Sequence, residues 1–286
     1  MPIKYDEVMA LKNVGQKYSW TDREVMLYAV GIGMGADPMD QKELSFVNEG
    51  YFTPRELKVV PTYASVAAWG ASAGPIDVNR VMVVDGERDI TFHKPLPVKA
   101  SINADSSILG VFDKGKDKGA VILRKTVLKN EKGENLATLI ASQFARGDGG
   151  FGGPSEGQPE PHKIPTRAPD MSVDISTRPD QALIYRLCGD RNPLHSDPEF
   201  AKRAGFDRPI LHGMCTYGLS CRAVLQTYAD YDPLAFRQHV TRFSAPVFPG
   251  ETVSFDLWRD GNVISLEGRV KARNVTVIKN GRTVLR

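Results

Sequence analysis

The run Gly189-Asp190-Arg191-Asn192-Pro193-Leu194-His195 puts a carboxylate, a carboxamide and an imidazole within one short stretch. Gly189 and the Asn192-Pro193 pair resist helix and strand alike, so these three polar side chains are expected on a tight loop. A carboxylate and an imidazole held on a rigid loop make an acid–base pair, one group drawing a proton from water while the other returns one. Downstream, Ser196 or Asp197 can cap a short helix starting near Pro198 and fix the end of the loop. The rival reading leaves Asp190 and Asn192 making only turn hydrogen bonds and His195 packing half-buried. The density of chemical groups on so short a stretch favours chemistry.

The loop needs elements to hold it. Met214, Tyr217, Gly218, Cys221, Val224 and Leu225 recur at helical spacing with one buried stripe, predicting a helix from about Gly213 to Tyr228. Its first N–H groups lack intrahelical partners, and its dipole favours negative charge at Gly213. Strands follow. Val253, Phe255 and Leu257 alternate with polar residues, Asp260-Gly261 marks a turn, and Asn280-Gly281 between Val275–Val277 and Thr283–Leu285 predicts a tight hairpin. In the first half Tyr63–Ala73 is expected as a short helix. Ile90–Ile102 and Ala120–Phe144 read as strands joined by the turn Asp113–Gly119, and Pro38–Pro61 has no clear assignment. Between Gly147 and Asp170 six glycines and five prolines in 24 residues rule out a continuous helix or ladder, so we expect a linker over 147–170 between halves spanning 1–146 and 171–286.

The halves echo each other. Phe92-x-x-Pro95 matches Phe243-x-x-Pro246 at an offset of 151, Thr126–Asn130 matches Thr276–Asn280 at 150, and Asp22–Gly31 aligns loosely with Asp180–Gly189. The pattern predicts two α+β units, each a helix against a curved antiparallel sheet.

Composition narrows the function. Against 37 basic and 34 acidic residues the net charge is +3, with no like-charged block suited to nucleic acid. No signal-peptide stretch or apolar run of membrane-spanning length is seen, and the closing Val284-Leu285-Arg286 is not a peroxisomal address, so a soluble cytoplasmic protein is expected. Cys188, Cys215 and Cys221 lack metal-ligand spacing and read as core thiols. Gly31-Ile32-Gly33-Met34-Gly35 follows no strand and misplaces the third glycine of a dinucleotide loop. His93, His162 and His239 have no patterned partners and are expected to pack or face solvent, while His212 lies near enough to orient the loop without being catalytic. Phosphate contacts are sought among Lys202, Arg203, Arg208, Arg242, Lys271 and Arg273.

The run Tyr185, Gly189, Asp190, Asn192, Pro193, Leu194, His195 and Ala201 resembles, without departure, the hydratase 2 signature of MaoC-like (R)-specific enoyl-CoA hydratases. The resemblance continues through Pro209–Thr216 and Arg242–Thr252, and reaches Trp20-Thr21-Asp22, Tyr28–Gly33 and Lys94–Pro97 in the first half. It implies two tandem hot-dog domains and addition of water to a trans-2-enoyl-CoA to give a (3R)-3-hydroxyacyl-CoA. Asp190 and His195 would be the catalytic pair, with Asp190 as water-activating base and His195 as proton donor, Gly213 N–H the oxyanion donor and Asn192 the positioning group. It further implies no metal or other cofactor, CoA being part of the substrate, and a homodimer with neither nucleic-acid nor membrane partners. The first half has no histidine after Gly31–Pro38 and would be a non-catalytic partner shaping the acyl tunnel, with a shortened central helix. The alternatives are a hot-dog thioesterase, betrayed by release of free CoA, and a non-catalytic acyl-CoA-binding module, betrayed by binding without turnover.

Overall fold

Among the described residues ten strands form, and each half uses five of them in the same way. The computed structural model describes residues 3–50, 56–79 and 82–286. In the first half a short helix α1 (Tyr5–Met9) leads into β1 (Lys12–Trp20), α2 (Asp22–Gly31) and α3 (Gln41–Val47); then come α4 (Ala64–Ala67), β2 (Val83–Phe92), β3 (Ala100–Asp113), β4 (Ala120–Asn130) and β5 (Asn135–Ala145). The second half runs β6 (Met171–Ser176), α5 (Gln181–Tyr185), α6 (Pro198–Arg203), α7 (Gly213–Tyr228), β7 (Phe236–Phe243), β8 (Thr252–Asp260), β9 (Val263–Val270) and β10 (Val275–Leu285). Residues 147–170 carry no helix or strand.

All ten strands form one antiparallel sheet in the order β1-β3-β4-β5-β2-β7-β10-β9-β8-β6. Read inward from either edge, the order is first, third, fourth, fifth, second strand of that half. The halves therefore share one topology and meet where β2 pairs with β7, Glu87 opposite Arg242 through to Thr91 opposite Gln238. This is the α+β double hot-dog arrangement, and its halves differ in the helix. Helix α7 has 16 residues and packs on strands of its own half. Its counterpart is only the 3₁₀ turn Pro61–Tyr63 followed by the four residues of α4.

A single large apolar cluster runs through both halves, joining Tyr28, Ile32, Ile90 and Leu128 to Tyr185, Leu219, Phe255 and Ile278. Gly218 makes the closest approach: a Cβ there would lie 2.4 Å from Ile32 Cγ2 and 3.0 Å from Tyr28 Oη, so α7 and α2 press together only because that position is glycine.

The α7 boundaries agree with the periodicity, but five other expectations are corrected. Asn280-Gly281 is no hairpin. Asn280 takes a left-handed φ of 53° inside β10, where three steps along the strand oppose two on both β7 and β9, so the pair makes a bulge. The match of Thr126–Asn130 with Thr276–Asn280 sets β4 against β10, which are not topological equivalents, and is coincidental; the Phe92/Phe243 match and the Asp22/Asp180 match do join equivalent elements. Ile90–Ile102 is the end of β2, a proline-containing loop and the start of β3. Ala120–Phe144 is two strands joined by a turn in which Asn130 Oδ1 accepts from the N–H groups of Lys132 and Glu134. The helix sought over Tyr63–Ala73 ends at Ala67, and within Pro38–Pro61 the structure forms α3, residues 51–55 lying outside the described residues.

Candidate active site

The loop between α5 and α6 is shaped by its own side chains. Gly189 adopts φ 136°, and a Cβ there would strike the Trp69 ring at 2.5 Å, so only glycine lets the loop turn against the first half. Asp190 Oδ1 accepts from Asn192 N at 3.0 Å, and Asn192 Oδ1 accepts from Leu194 N at 3.0 Å, capping the 3₁₀ turn Pro193–His195. Asp197 accepts from Glu199 N and Phe200 N and starts α6, as its position predicts. Asn192 thus spends its carbonyl oxygen on the turn.

His195 is buried, and its Nδ1 lies 2.9 Å from the carbonyl oxygen of Ile210. A carbonyl only accepts, so Nδ1 carries the hydrogen and Nε2 keeps its lone pair in the neutral ring. Burial lowers the proton affinity of His195, opposed by the Ile210 carbonyl and by the Asp190 and Asp85 carboxylates. Its ring stacks on that of His212, centroids 3.8 Å apart at 28°.

His212 is wholly buried at the cap of α7, with Tyr185 packed on it at 5.0 Å. Its Nε2 donates to the main-chain oxygen of Asp190 at 3.1 Å, and its Nδ1 has no partner among the described residues. Burial, and then the nearby His195, push it down to about 3, so it is a neutral clamp on the backbone that carries Asp190. This is the orienting part its position suggests.

A carboxylate oxygen of Asp190 and one ring nitrogen of each histidine lie within 4.8 Å of one another. That spacing fits two groups sharing one water, each at hydrogen-bond distance. It suits a metal less well: a ligated ion lies near the plane of each imidazole, whereas these rings are stacked nearly face to face, each with one nitrogen already engaged. Gly213 follows His212 at the first position of α7, where its N–H has no partner within the helix.

A cavity of about 330 Å³ reaches this loop through two neighbours of it, without being lined by the loop's own residues. Its walls include Met214, next to Gly213, and Trp69, which covers Gly189, but most of its lining comes from the first half: Ala64 and Ala68 of α4 and Ile90, Leu128 and Leu139 of the strands. Arg88 and Arg124 stand on its rim, Arg88 bonded to Asp85 at 2.8 Å and Arg124 to Gln143 at 2.9 Å. Sequence reasoning missed Trp69, Asp85, Arg88 and Arg124, and no local pattern marks them, because the turn after α4 and the strands β2 and β4 bring them to the site only in the folded chain.

Other candidates resolve simply. Burial pushes the Cys188 and Cys221 thiols up to about 12 and also raises Cys215 well above the ordinary thiol range, and all three are outside any disulfide, as core thiols should be. Gly31–Gly35 ends α2 in a left-handed turn rather than following a strand. His93 meets Thr138, His162 meets Ser265, and His239 is sealed between Ser220 and Thr283. Among the basic residues, Arg273 is bidentate on Glu251, Arg242 faces Glu87, Lys271 faces Asp174, and Arg208 lies over Phe248. Among the described residues no helix is long and apolar enough to cross a membrane.

Fold and site together define a two-domain hot-dog chain with a carboxylate–imidazole loop leading into its long helix. Residues 18–147 match the MFE-2 hydratase 2 N-terminal domain and residues 161–281 the MaoC like domain. The chain is 40% identical to the enoyl-CoA hydratase ChsH3 of Mycobacterium tuberculosis, over 98% of both chains. It is 39% identical to the peroxisomal enoyl-CoA hydratase 2 of Arabidopsis thaliana, over 96% of this chain and 93% of that one. A MaoC-like dehydratase from Phytophthora capsici superposes with a TM-score of 0.87 at 30% identity, covering 98% of each. The chain belongs to the MaoC-like, hydratase 2 family.

Proposed function

We propose that this chain reversibly hydrates trans-2-enoyl-CoA to (3R)-3-hydroxyacyl-CoA with Asp190 and His195 as its acid–base pair and no cofactor beyond the CoA of the substrate. The observation that carries the reading is the pairing of Asp190 and His195 within 4.8 Å, with the imidazole held neutral and Nδ1 tied to Ile210. In that tautomer Nε2 is ready to take a proton from water as the oxygen bonds to Cβ, while Asp190 holds the same water and steadies the imidazolium that forms. The proton then returns to Cα as the thioester enolate collapses, so the elements of one water are added. Gly213 N–H would face the thioester oxygen, where charge builds, and one such donor contributes about 3 kcal/mol to transition-state stabilisation. Asn192 would position ligand through its remaining amide group. The second half, 171–286, would carry the chemistry, and the first, 1–146, would shape the acyl cavity across the 147–170 linker. We infer a cytoplasmic homodimer, which sedimentation and localisation of the tagged chain would check.

The test follows loss of enoyl-thioester ultraviolet absorbance with a short and a bulky trans-2-enoyl-CoA, with free thiol assayed in parallel and the product resolved by chirality. We expect absorbance loss without thiol and the (3R) alcohol, with Asp190→Asn and His195→Asn each slower by about 10²- to 10⁴-fold. Thiol release would instead make the chain a thioesterase, and binding without turnover would make it a carrier.

A further inference from the structure

A second cavity, of about 280 Å³, lies further along the seam between the halves, lined by Val59, Pro61, Phe92, Pro95, Leu234 and Phe236 among others. It shares its neighbouring elements with the cavity beside the catalytic loop. Ile90 lines the first and Phe92 the second, two residues apart on the same buried face of β2 and so about 7 Å apart along the strand. Pro61 lines the second and Ala64 the first, on successive turns of one short helical segment. Leu128, in the first cavity, is opposite Ala137, which is opposite Phe92, so both cavities end at one cross-strand row.

Phe92 is the largest side chain of that row. It is 7% exposed and is held edge-on by Phe236 at 6.4 Å, while its row neighbour Ala137 is small. We propose that Phe92 is the ruler for the acyl chain: it closes the inner end of the cavity beside the catalytic loop, and replacing it with a small residue joins the two cavities into one longer channel. The inference rests on the acyl-CoA reading above.

The experiment measures kcat/KM across straight-chain trans-2-enoyl-CoA thioesters from crotonyl to hexadecenoyl, together with binding of the matching saturated acyl-CoA thioesters, which does not depend on turnover. Wild type, Phe92→Ala, the milder Phe92→Leu and the bulkier Phe92→Trp are compared. We expect the long-to-short ratio to rise at least about tenfold in Phe92→Ala, less in Phe92→Leu, and to fall in Phe92→Trp, in both turnover and binding. Should Phe92→Ala not fold, the Leu and Trp variants still decide, since they must move the ratio in opposite directions. A ratio that stays constant across the folded variants overturns the ruler even if wild type is an active hydratase. A ratio that moves in binding while no enoyl-CoA is turned over keeps the ruler and defeats the hydratase reading.

Discussion

Two hydrogen bonds to main-chain carbonyls decide the protonation chemistry of the loop, one from His195 to Ile210 and one from His212 to Asp190. Because burial lowers the His195 proton affinity, the neutral base is present from above its ordinary value of 6.5 down to a lower pH. If His195 works as the base, kcat/KM should be flat through pH 6.5 and its acid limb should lie below that value. A pH–rate profile on crotonyl-CoA checks this, and activity that is instead lost as pH rises through the His195 value would mean the catalytic form is the imidazolium. The residues of this chemistry were legible because Asp190, Asn192 and His195 are contiguous and their turn geometry is written in Gly189 and Pro193. Trp69 and Asp85 were not, since each comes to the loop from a different, distant element. Asn192 shows both readings of such a residue at once: the turn bonds are real, and only its amide nitrogen is left for ligand.

At the scale of elements, a pattern was legible where it repeated and illegible where one local signal serves two structures. Helix α7 offers several turns of one stripe, so its ends could be read to the residue. Asn280-Gly281 could not, because a positive φ suits a hairpin and a bulge equally, and only the pairing of β10 on both sides separates them. Likewise β1 was unread because, as an edge strand, it is mostly exposed and carries little alternation. Helix packing gives a prediction that opposes local propensity. Alanine is favoured over glycine inside a helix by about 1 kcal/mol. At Gly218, however, the added methyl would sit 2.4 Å from Ile32 Cγ2 in a filled core, and overpacking costs about 1–3 kcal/mol. Gly218→Ala should therefore come out destabilised by about 1 kcal/mol or more in urea unfolding; a stabilised variant would show that α2 and α7 have room to part.

For the whole molecule, the joined sheet and shared core mean that neither half is complete alone, and two buried histidines, one of them at the seam, tie stability to pH. His239 on β7 is fully buried opposite Ile90 of β2, bonded at both nitrogens to Ser220 and Thr283, and burial pushes it down to about 3. His212 is likewise at about 3. Their folded values lie below the ordinary 6.5, so their contribution to stability is complete above 6.5 and is lost as pH falls, because the unfolded chain takes up protons that the folded chain refuses. Each histidine should make stability fall by about 1.4 kcal/mol per pH unit below 6.5, an effect far larger than that of a surface group. Glu87 and Asp89, raised by desolvation at the same seam, act in the opposite sense as they protonate and blunt the total. Comparing wild type with His239→Asn isolates the histidine term. The variant should be less stable at neutral pH but lose less stability between about pH 6.5 and 5, by about 1.4 kcal/mol per unit. Because Trp20 and Trp69 report from the first half and Trp258 from the second, fluorescence and circular dichroism should give one coincident transition in each protein. Two separated transitions would break the shared core into independent domains, and an unchanged pH slope in His239→Asn would mean that the seam admits enough water to solvate a charged imidazole.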